Sequence, residues 1–310
     1  LDLAEFERPP SILYDENKNF MLFLFRDNYK SIAELSAKEL RLGGLRIDPK
    51  TNIGSRVTYY NNVKIRNLKN QKSEITQVKG LPKNPKLSNI SWSPDQKRIA
   101  LTNTTETGVE LWVLELENGS VTKLTESNLN SNIGSVINWF SDSENMLVKM
   151  ISNNRRPLID TNKIVPDGPT ISTNFGEKAQ NRTYQDLLKN KFDEHNFEQL
   201  STSTIYKVSI DGSVKKWMDD GMYRTISFSP NGEYVMISQI NKPFSYLVTY
   251  SRFPTETNIY NKDGDFVSNL QKVPLIEELP KGFMSVRTGK RSFSWRSDKG
   301  ASLTYVTALD

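Results

Sequence analysis

The chain has no cysteine, one histidine and no long apolar run, and each absence excludes a class of chemistry. Without cysteine there are no disulfides and no thiol nucleophile. His195 alone leaves only carboxylates as metal ligands, and no calcium-loop spacing occurs, so no metal site is expected. The most apolar stretch, residues 20–25, has the length of a strand and falls short of the ~18 residues of a membrane helix, so no membrane span is expected.

The chain also has no large excess of charge of either sign. The 41 Lys and Arg against 36 Asp and Glu give a net charge of +5 over 310 residues, and the basic residues are scattered. No basic stripe with interleaved aromatics is present, so no nucleic-acid partner is expected. Residue 1 is Leu and no signal peptide is in view, which leaves the compartment open, with a periplasmic or otherwise exported location favoured over a cytoplasmic one.

Residues 88–125 predict four short strands joined by tight turns. The sequence Ser93-Pro94-Asp95-Gln96 suits a turn, because Pro94 presets its own φ and Asp95 can bond its own backbone. Asn118-Gly119 predicts a two-residue hairpin turn with both residues at positive φ. A recurring four-stranded antiparallel module of about 40 residues is typical of a β-propeller blade.

The same pattern recurs along the chain. Equivalent turn residues are Asn17, Asp95, Asp142, Asn231 and Asp298. Insertions interrupt the pattern at about residues 28–55 and 153–200. The first carries a capping box, Ser31 with Glu34, and predicts a helix with Leu40 and Leu42 on its apolar face that ends at Gly43-Gly44. The second predicts a short helix over residues 183–188 with Thr183 as its cap.

The fold class predicted is therefore all-β, a propeller of four-stranded antiparallel blades with short helical insertions. About four and a half blades are expected, because the fifth repeat stops after its second strand. An unfinished blade leaves a raw sheet edge, so residues 1–310 are interpreted as a partial propeller cut from a larger one. The alternative is a small ring whose last blade is completed by an N-terminal strand.

Three longer pieces carry a family resemblance: ELRLGGLRIDPKTN (39–52), RTYQDLLKN (182–190) and PFSYLVTYSRFP (243–254). With the Ser-Pro-Asp turns, they resemble the N-terminal propeller of prolyl oligopeptidase family serine peptidases, in the glutamyl endopeptidase-like branch. The branch includes bacterial and chloroplast members, and a bacterial source is expected. Thr249 departs from the pattern, where Pro is expected.

The resemblance implies a two-part enzyme. A WD40-like propeller would cap an α/β-hydrolase domain, expected beyond residue 310, with a Ser-Asp-His triad between them. Peptide substrate and that C-terminal domain of the same polypeptide are the implied partners, and no cofactor is implied.

The residues themselves offer no catalytic group. A G-x-S-x-G nucleophile motif is absent, and His195 lies in a polar run, as expected of a surface histidine. The adjacent carboxylates Asp219-Asp220 and Glu277-Glu278 would point to opposite faces of a strand, so solvated charge explains them better than acid–base catalysis. A propeller glycosidase or lactonase would need a carboxylate or metal cluster that the sequence does not offer.

The candidate substrate-binding stretch is residues 242–252, KPFSYLVTYSR. Its candidates are Arg252, Lys242, Tyr246 and Tyr250, and Arg182 ahead of the predicted insertion helix is a further one. Arginine offers a bidentate fork for a peptide carboxylate. The structural alternative is that Phe244, Tyr246 and Tyr250 pack the fourth blade while Arg252 pairs with an internal carboxylate.

Two function hypotheses remain. In the first, the chain is the propeller segment of a serine peptidase that gates and lines peptide access to a catalytic domain. In the second, it is a stand-alone β-propeller scaffold that binds proteins without catalysis. A G-x-S-x-G motif in the gene beyond residue 310 would favour the first.

Overall fold

The computed structural model describes residues 6–70, 72–160, 163, 176, 184–278 and 285–308. Its regular structure is almost entirely antiparallel, with strands paired in sheets of four, four, seven, two and three strands. Within the described residues, no helix has the length and apolar character that crossing a bilayer requires. The all-β prediction is thus confirmed as a mostly antiparallel β structure with short helices, whereas the described sheets do not close into a ring and the number of blades stays a prediction.

The first unit is a four-stranded sheet interrupted by an insertion. In chain order its elements are β1 (Ser11–Tyr14), β2 (Phe20–Phe25), α1 (Ile32–Leu35), β3 (Leu40–Leu42), β4 (Leu45–Asp48), β5 (Ile53–Gly54), β6 (Asn62–Asn67) and β7 (Thr76–Gln77). Strands β1, β2, β6 and β7 form the unit, whereas β3, β4 and β5 form a separate small sheet inside the insertion.

The helix in this insertion is shorter than predicted. The capping box is confirmed, since the Glu34 N–H donates to Ser31 Oγ at 3.2 Å and the Ser31 N–H donates to Glu34 Oε2 at 3.0 Å. The prediction for Leu40 and Leu42 was wrong, because both lie in β3 and Leu42 pairs with Leu45 of β4. Gly43 and Gly44 have φ of +60° and +89°, so they form a two-residue hairpin turn instead of a helix end.

The second unit has the four strands predicted for it. They are β8 (Leu87–Trp92), β9 (Arg98–Thr104), β10 (Val109–Glu115) and β11 (Ser120–Lys123), in adjacent antiparallel order. The hairpin prediction at Asn118-Gly119 was wrong in detail. Glu115 pairs with Ser120, so the connection has four residues and only Gly119 takes positive φ.

The third and fourth units share one seven-stranded sheet. Their elements are β12 (Ile137–Trp139), β13 (Asn145–Ile151), α2 (Lys191–Ser201), β14 (Ser203–Ser209), β15 (Val214–Phe228), β16 (Tyr234–Ile240), β17 (Thr255–Asn261) and β18 (Phe266–Val273). Separate blades were predicted here, but β15 runs unbroken from one unit into the next. Its first half pairs with β14 and its second half pairs with β16.

The fifth unit is a hairpin of β19 (Arg291–Trp295) and β20 (Leu303–Val306), the two strands that the sequence predicts there. Loop residues connect it to β18, and part of that loop, 279–284, lies outside the described residues.

Successive units lie side by side with their equivalent turns in contact. The Glu16 N–H donates to Gln96 Oε1 at 3.2 Å, and the Asp95 N–H donates to Ser143 Oγ at 2.9 Å. The Asn231 N–H donates to the Gly300 carbonyl at 3.0 Å. The turns that join first to second strands therefore gather at one end of the molecule, and the first strands run in the same direction.

The core lies between neighbouring sheets. In β9, Ile99 and Leu101 pack towards the first unit, whereas Ala100 packs towards the third. In β13, Leu147 faces the fourth unit and Val148 faces the second. Because consecutive side chains of a strand point to opposite faces, a strand buried on both faces reads as a continuous apolar run, as the sequence predicts for β9.

Lys149 is a charged residue within this core. Its side chain is fully buried, and its Nζ donates to the Ile133 carbonyl. Burial lowers the pKa of Lys149 from 10.5 to about 7, because the ammonium loses its water. The amine is therefore substantially neutral above that pH in the folded state.

We expect this lysine to make stability rise with pH. Between pH 7 and 10.5 the unfolded chain binds a proton at Lys149 that the folded chain lacks, so the free energy of unfolding rises by at most about 1.4 kcal/mol per pH unit. Lys149→Met should remove this rise. Urea unfolding at pH 7, 8 and 9 tests it, with exposed Lys215→Met as the control that keeps the wild-type slope. Equal slopes for wild type and Lys149→Met would contradict it.

Candidate functional site

The described parts of three long insertions meet at one end of the molecule. They are residues 26–61 of the first unit, 152–202 of the third and 241–254 of the fourth, and each joins a second strand to a third. In an antiparallel meander this connection lies at the end opposite the first-to-second turn. We call residues 40–54, helix α2 and residues 241–254 the insertion cap.

The parts of the insertion cap are joined by backbone hydrogen bonds between distant segments. The Tyr250 N–H donates to the Gly43 carbonyl at 2.8 Å, and the Gly44 N–H donates to the Asp186 carbonyl at 2.8 Å. Segments of the first, third and fourth units are thereby held against one another.

An aromatic cluster fills the cap. Phe197 of α2 is fully buried, with ring centroids 5.0 Å from Phe244 and 5.5 Å from Phe253 in edge-to-face geometry. Leu42 and Ile47 of the first insertion pack on the same cluster. The edge-to-face pairs add to the apolar burial that holds the three insertions together.

The second insertion is helical at a different place from the prediction. Thr183 and Arg182 lie outside the described residues, and residues 184–188 are not helical. Helix α2 begins at Lys191, because the Asn190 side chain accepts the N–H groups of Phe192 and Asp193 and so caps it. Two acidic residues in the first turn, Asp193 and Glu194, are the sequence signal that could have placed it.

Two predicted site residues, Lys242 and Tyr246, bond to carboxylates of α2. The Lys242 Nζ lies 2.7 Å from Glu198 Oε1, and the Tyr246 hydroxyl donates to Glu194 Oε1 at 2.6 Å. Burial, with the Glu194 carboxylate beside it, raises the pKa of Tyr246 to about 12. Both side chains thus have partners within the cap.

Arg252 differs from them. It ends a 3₁₀ turn, Tyr250–Arg252, and its guanidinium lies 5.7 Å from the centre of the Tyr184 ring. Its Nη1 is buried and has no hydrogen-bond partner among the described residues. The structural alternative predicts that Arg252 pairs with an internal carboxylate. No such pair is found among the described residues. Tyr250 packs on the aromatic cluster of the cap, and the guanidinium carbon of Arg224 lies 6.0 Å from the centre of its ring.

The sequence analysis missed a charged network at the edge of the cap. Arg46 Nε lies 2.6 Å from Asp186 Oδ2, and Glu39 accepts from Ser55, Arg41 and Arg56. The Ser55 hydroxyl and the two guanidinium groups lower the pKa of Glu39 to about 2. Glu39 and its two arginines also line a cleft of 490 Å³ beside α1.

The remaining acidic and basic candidates have structural surroundings. Asp220 accepts from Ser152 at 2.6 Å and Asn154 at 2.9 Å, whereas the neighbouring Asp219 is exposed and pairs with Lys216. His195 lies on α2 with Nε2 3.0 Å from the Pro157 carbonyl. Over the described ranges, no group of three or more His, Cys, Asp or Glu side chains could hold a metal ion.

Comparison with known proteins gives two curated relatives. A probable chloroplastic glutamyl endopeptidase of Oryza sativa is 32% identical over 321 residues, covering 100% of this chain and 34% of the relative. Its counterpart in Arabidopsis thaliana is 31% identical over 318 residues, covering 97% of this chain and 32% of the relative. The chain thus spans about a third of their length. Both are plant proteins, so they lend no support to a bacterial source.

Other comparisons are less similar. No protein-family model matches the chain. Among solved structures, the acylaminoacyl peptidase of Pyrococcus horikoshii aligns with a TM-score of 0.43 at 15% identity, covering 89% of this chain and 34% of that one.

Proposed function

Because the chain belongs to the glutamyl endopeptidase family, of whose curated relatives it spans about a third, we propose that it is the N-terminal propeller portion of a serine peptidase. In this role it gates and lines the path of peptides to a catalytic domain elsewhere in the polypeptide. The relatives do not favour the alternative of a stand-alone binding scaffold. Their chloroplastic names favour a location outside the cytosol.

The arrangement of the units supports a propeller. Four-stranded units recur, their apolar faces pack on the neighbouring sheet, and their equivalent turns touch. In two places a tryptophan on the first strand of one unit donates to the first strand of the preceding unit. Trp139 Nε1 donates to the Ser91 carbonyl at 3.2 Å, and Trp295 Nε1 donates to the Ser227 carbonyl at 3.1 Å. This is the relation expected of blades arranged about an axis.

Strand direction supports the gating role, and it is the observation that carries the proposal. A four-stranded meander begins and ends at the same end of the sheet, and in every unit that is the end with the insertion cap. Chain that precedes or follows a set of whole blades therefore attaches at this end. An α/β-hydrolase domain encoded beyond residue 310 would thus lie over the cap, with residues 242–252 facing the cavity between them.

The cap residue proposed to select the peptide is Arg252, because its buried Nη1 has no partner among the described residues. In the full-length enzyme, Arg252→Ala should lower kcat/KM for a peptide cleaved after Glu by about 10- to 100-fold, the loss of one charge-assisted hydrogen bond of ~1.5–3 kcal/mol. The same peptide with Gln should lose much less. Paired rate measurements on the two peptides test this.

The matched control is Arg56→Ala. Arg56 is an exposed arginine at the edge of the insertion cap, already paired with Glu39 at 3.1 Å, so this variant should leave the Glu-to-Gln ratio unchanged. This chain alone should show no serine-inhibitor-sensitive cleavage. Equal losses on both peptides would make Arg252 a packing residue, and robust cleavage by the chain alone would refute the gating role.

A further inference from the structure

The first strands of the fourth and fifth units carry arginine at equivalent positions. Arg224 and Arg291 precede the turn residues Asn231 and Asp298 by the same number of residues. The two strands are neighbours, since Trp295 of one donates to the Ser227 carbonyl of the other at 3.1 Å. Each arginine lies near the start of the first strand of its unit, which is at the same end of the molecule as the insertion cap.

A third arginine, Arg287, lies beside Arg291. Its Nη2 donates to Gln271 Oε1 at 3.1 Å and to the Lys290 carbonyl, which fixes the guanidinium beside β19. Burial lowers the pKa of Arg287, and the positive charge of Arg291 lowers it further. Two guanidinium groups are thus held close together. We call Arg287 and Arg291 the arginine cluster.

The cluster lacks a counter-charge within the described residues. Neither of its guanidinium groups forms an ion pair there, whereas Arg41, Arg46 and Arg56 each bind a carboxylate. Arg224, on the neighbouring strand, instead donates from Nη1 to the Ser251 carbonyl at 3.2 Å. Arg291 Nη1 is buried with no hydrogen-bond partner. Adjacent cations with an unsatisfied buried N–H group are unfavourable unless an anion lies between them.

We propose that the arginine cluster binds a carboxylate of a peptide, at a position separate from Arg252. A guanidinium fork fits the two oxygens of a carboxylate, and a phosphate would use the same donors. That the anion belongs to a peptide rests on the proposed function, whereas the anion site itself rests only on the geometry above. The site would hold a second acidic group of a bound peptide at the axis of the propeller.

The test uses this chain and three probes: a fluorescent hexapeptide amide rich in Glu, the same peptide with Gln, and inorganic phosphate. Fluorescence anisotropy should show binding of the Glu peptide and at least tenfold weaker binding of the Gln peptide. Arg291→Met should weaken binding of the Glu peptide at least tenfold. Arg296→Met is the matched control, because Arg296 follows the same strand but is exposed and paired with Asp298 at 2.6 Å. It should bind as the wild type does.

Equal affinity for the Glu and Gln peptides, or wild-type affinity in Arg291→Met, would overturn the proposal. Phosphate that raises the Tm in an Arg291-dependent way, without binding of the Glu peptide, would also overturn it and indicate an inorganic-anion site. If Arg291→Met does not fold by circular dichroism, Arg287→Met replaces it with the same expectation. Binding is measured without catalysis, so an inactive full-length protein would refute the peptidase role and leave the anion site standing.

Discussion

Replacing Phe197 by alanine should lower the free energy of unfolding by about 3–5 kcal/mol. The ring is fully buried between Phe244 and Phe253, and it lies 3.3 Å from the position that a Cβ on Gly43 would take. Residues of three insertions pack around this side chain. Because these residues hold one another in place, no single loop can move to fill the cavity that alanine would leave. Urea unfolding followed by tryptophan fluorescence measures the loss.

The matched control is Phe266→Ala. Phe266 is 61% exposed in β18, so its removal should cost less than about 1 kcal/mol. Near-equal losses for the two variants would show that the insertion cap contributes little to the stability of the chain.

Replacing Gly134 by alanine should also be strongly destabilising. Gly134 has φ of +59°, and a Cβ there would lie 2.0 Å from the Arg224 carbonyl oxygen. That oxygen belongs to the backbone of β15, so the overlap is relieved only by moving a strand. The positive φ costs about 1–2 kcal/mol for alanine, and the overlap should add at least about 2 kcal/mol.

Gly212→Ala separates the two contributions. Gly212 has φ of +88° with nothing within 4 Å of its Cβ position, so only the backbone cost applies. Chemical unfolding of both variants gives the difference directly. A Gly134→Ala variant no less stable than Gly212→Ala would mean that the third and fourth units do not approach this closely.

The strands of the units were predictable because their signals are local. Ile99, Ala100 and Leu101 form an apolar run flanked by the Pro94 turn, and the structure buries all three between two sheets. Turn residues likewise act over a few positions, so the recurring Asp and Asn turns could be aligned without any knowledge of the fold.

The insertion cap was not predictable in the same way, because its contacts join residues far apart in the chain. Arg46 pairs with Asp186, and Tyr246 pairs with Glu194. No local pattern in the sequence predicts either pairing. The hairpin of the cap did leave a signal, since leucine and arginine alternate on both sides of Gly43-Gly44, which is typical of two strands and a tight turn.

Strand β15 limits where neighbouring units of the chain could separate. It belongs to two units at once, so pulling them apart would break a row of backbone hydrogen bonds. The fourth and fifth units are joined in the described residues mainly by individual bonds, such as those of Trp295 and Asn231. We therefore expect the third and fourth units to stay together, and any separation between units to occur elsewhere, such as between the fourth and the fifth.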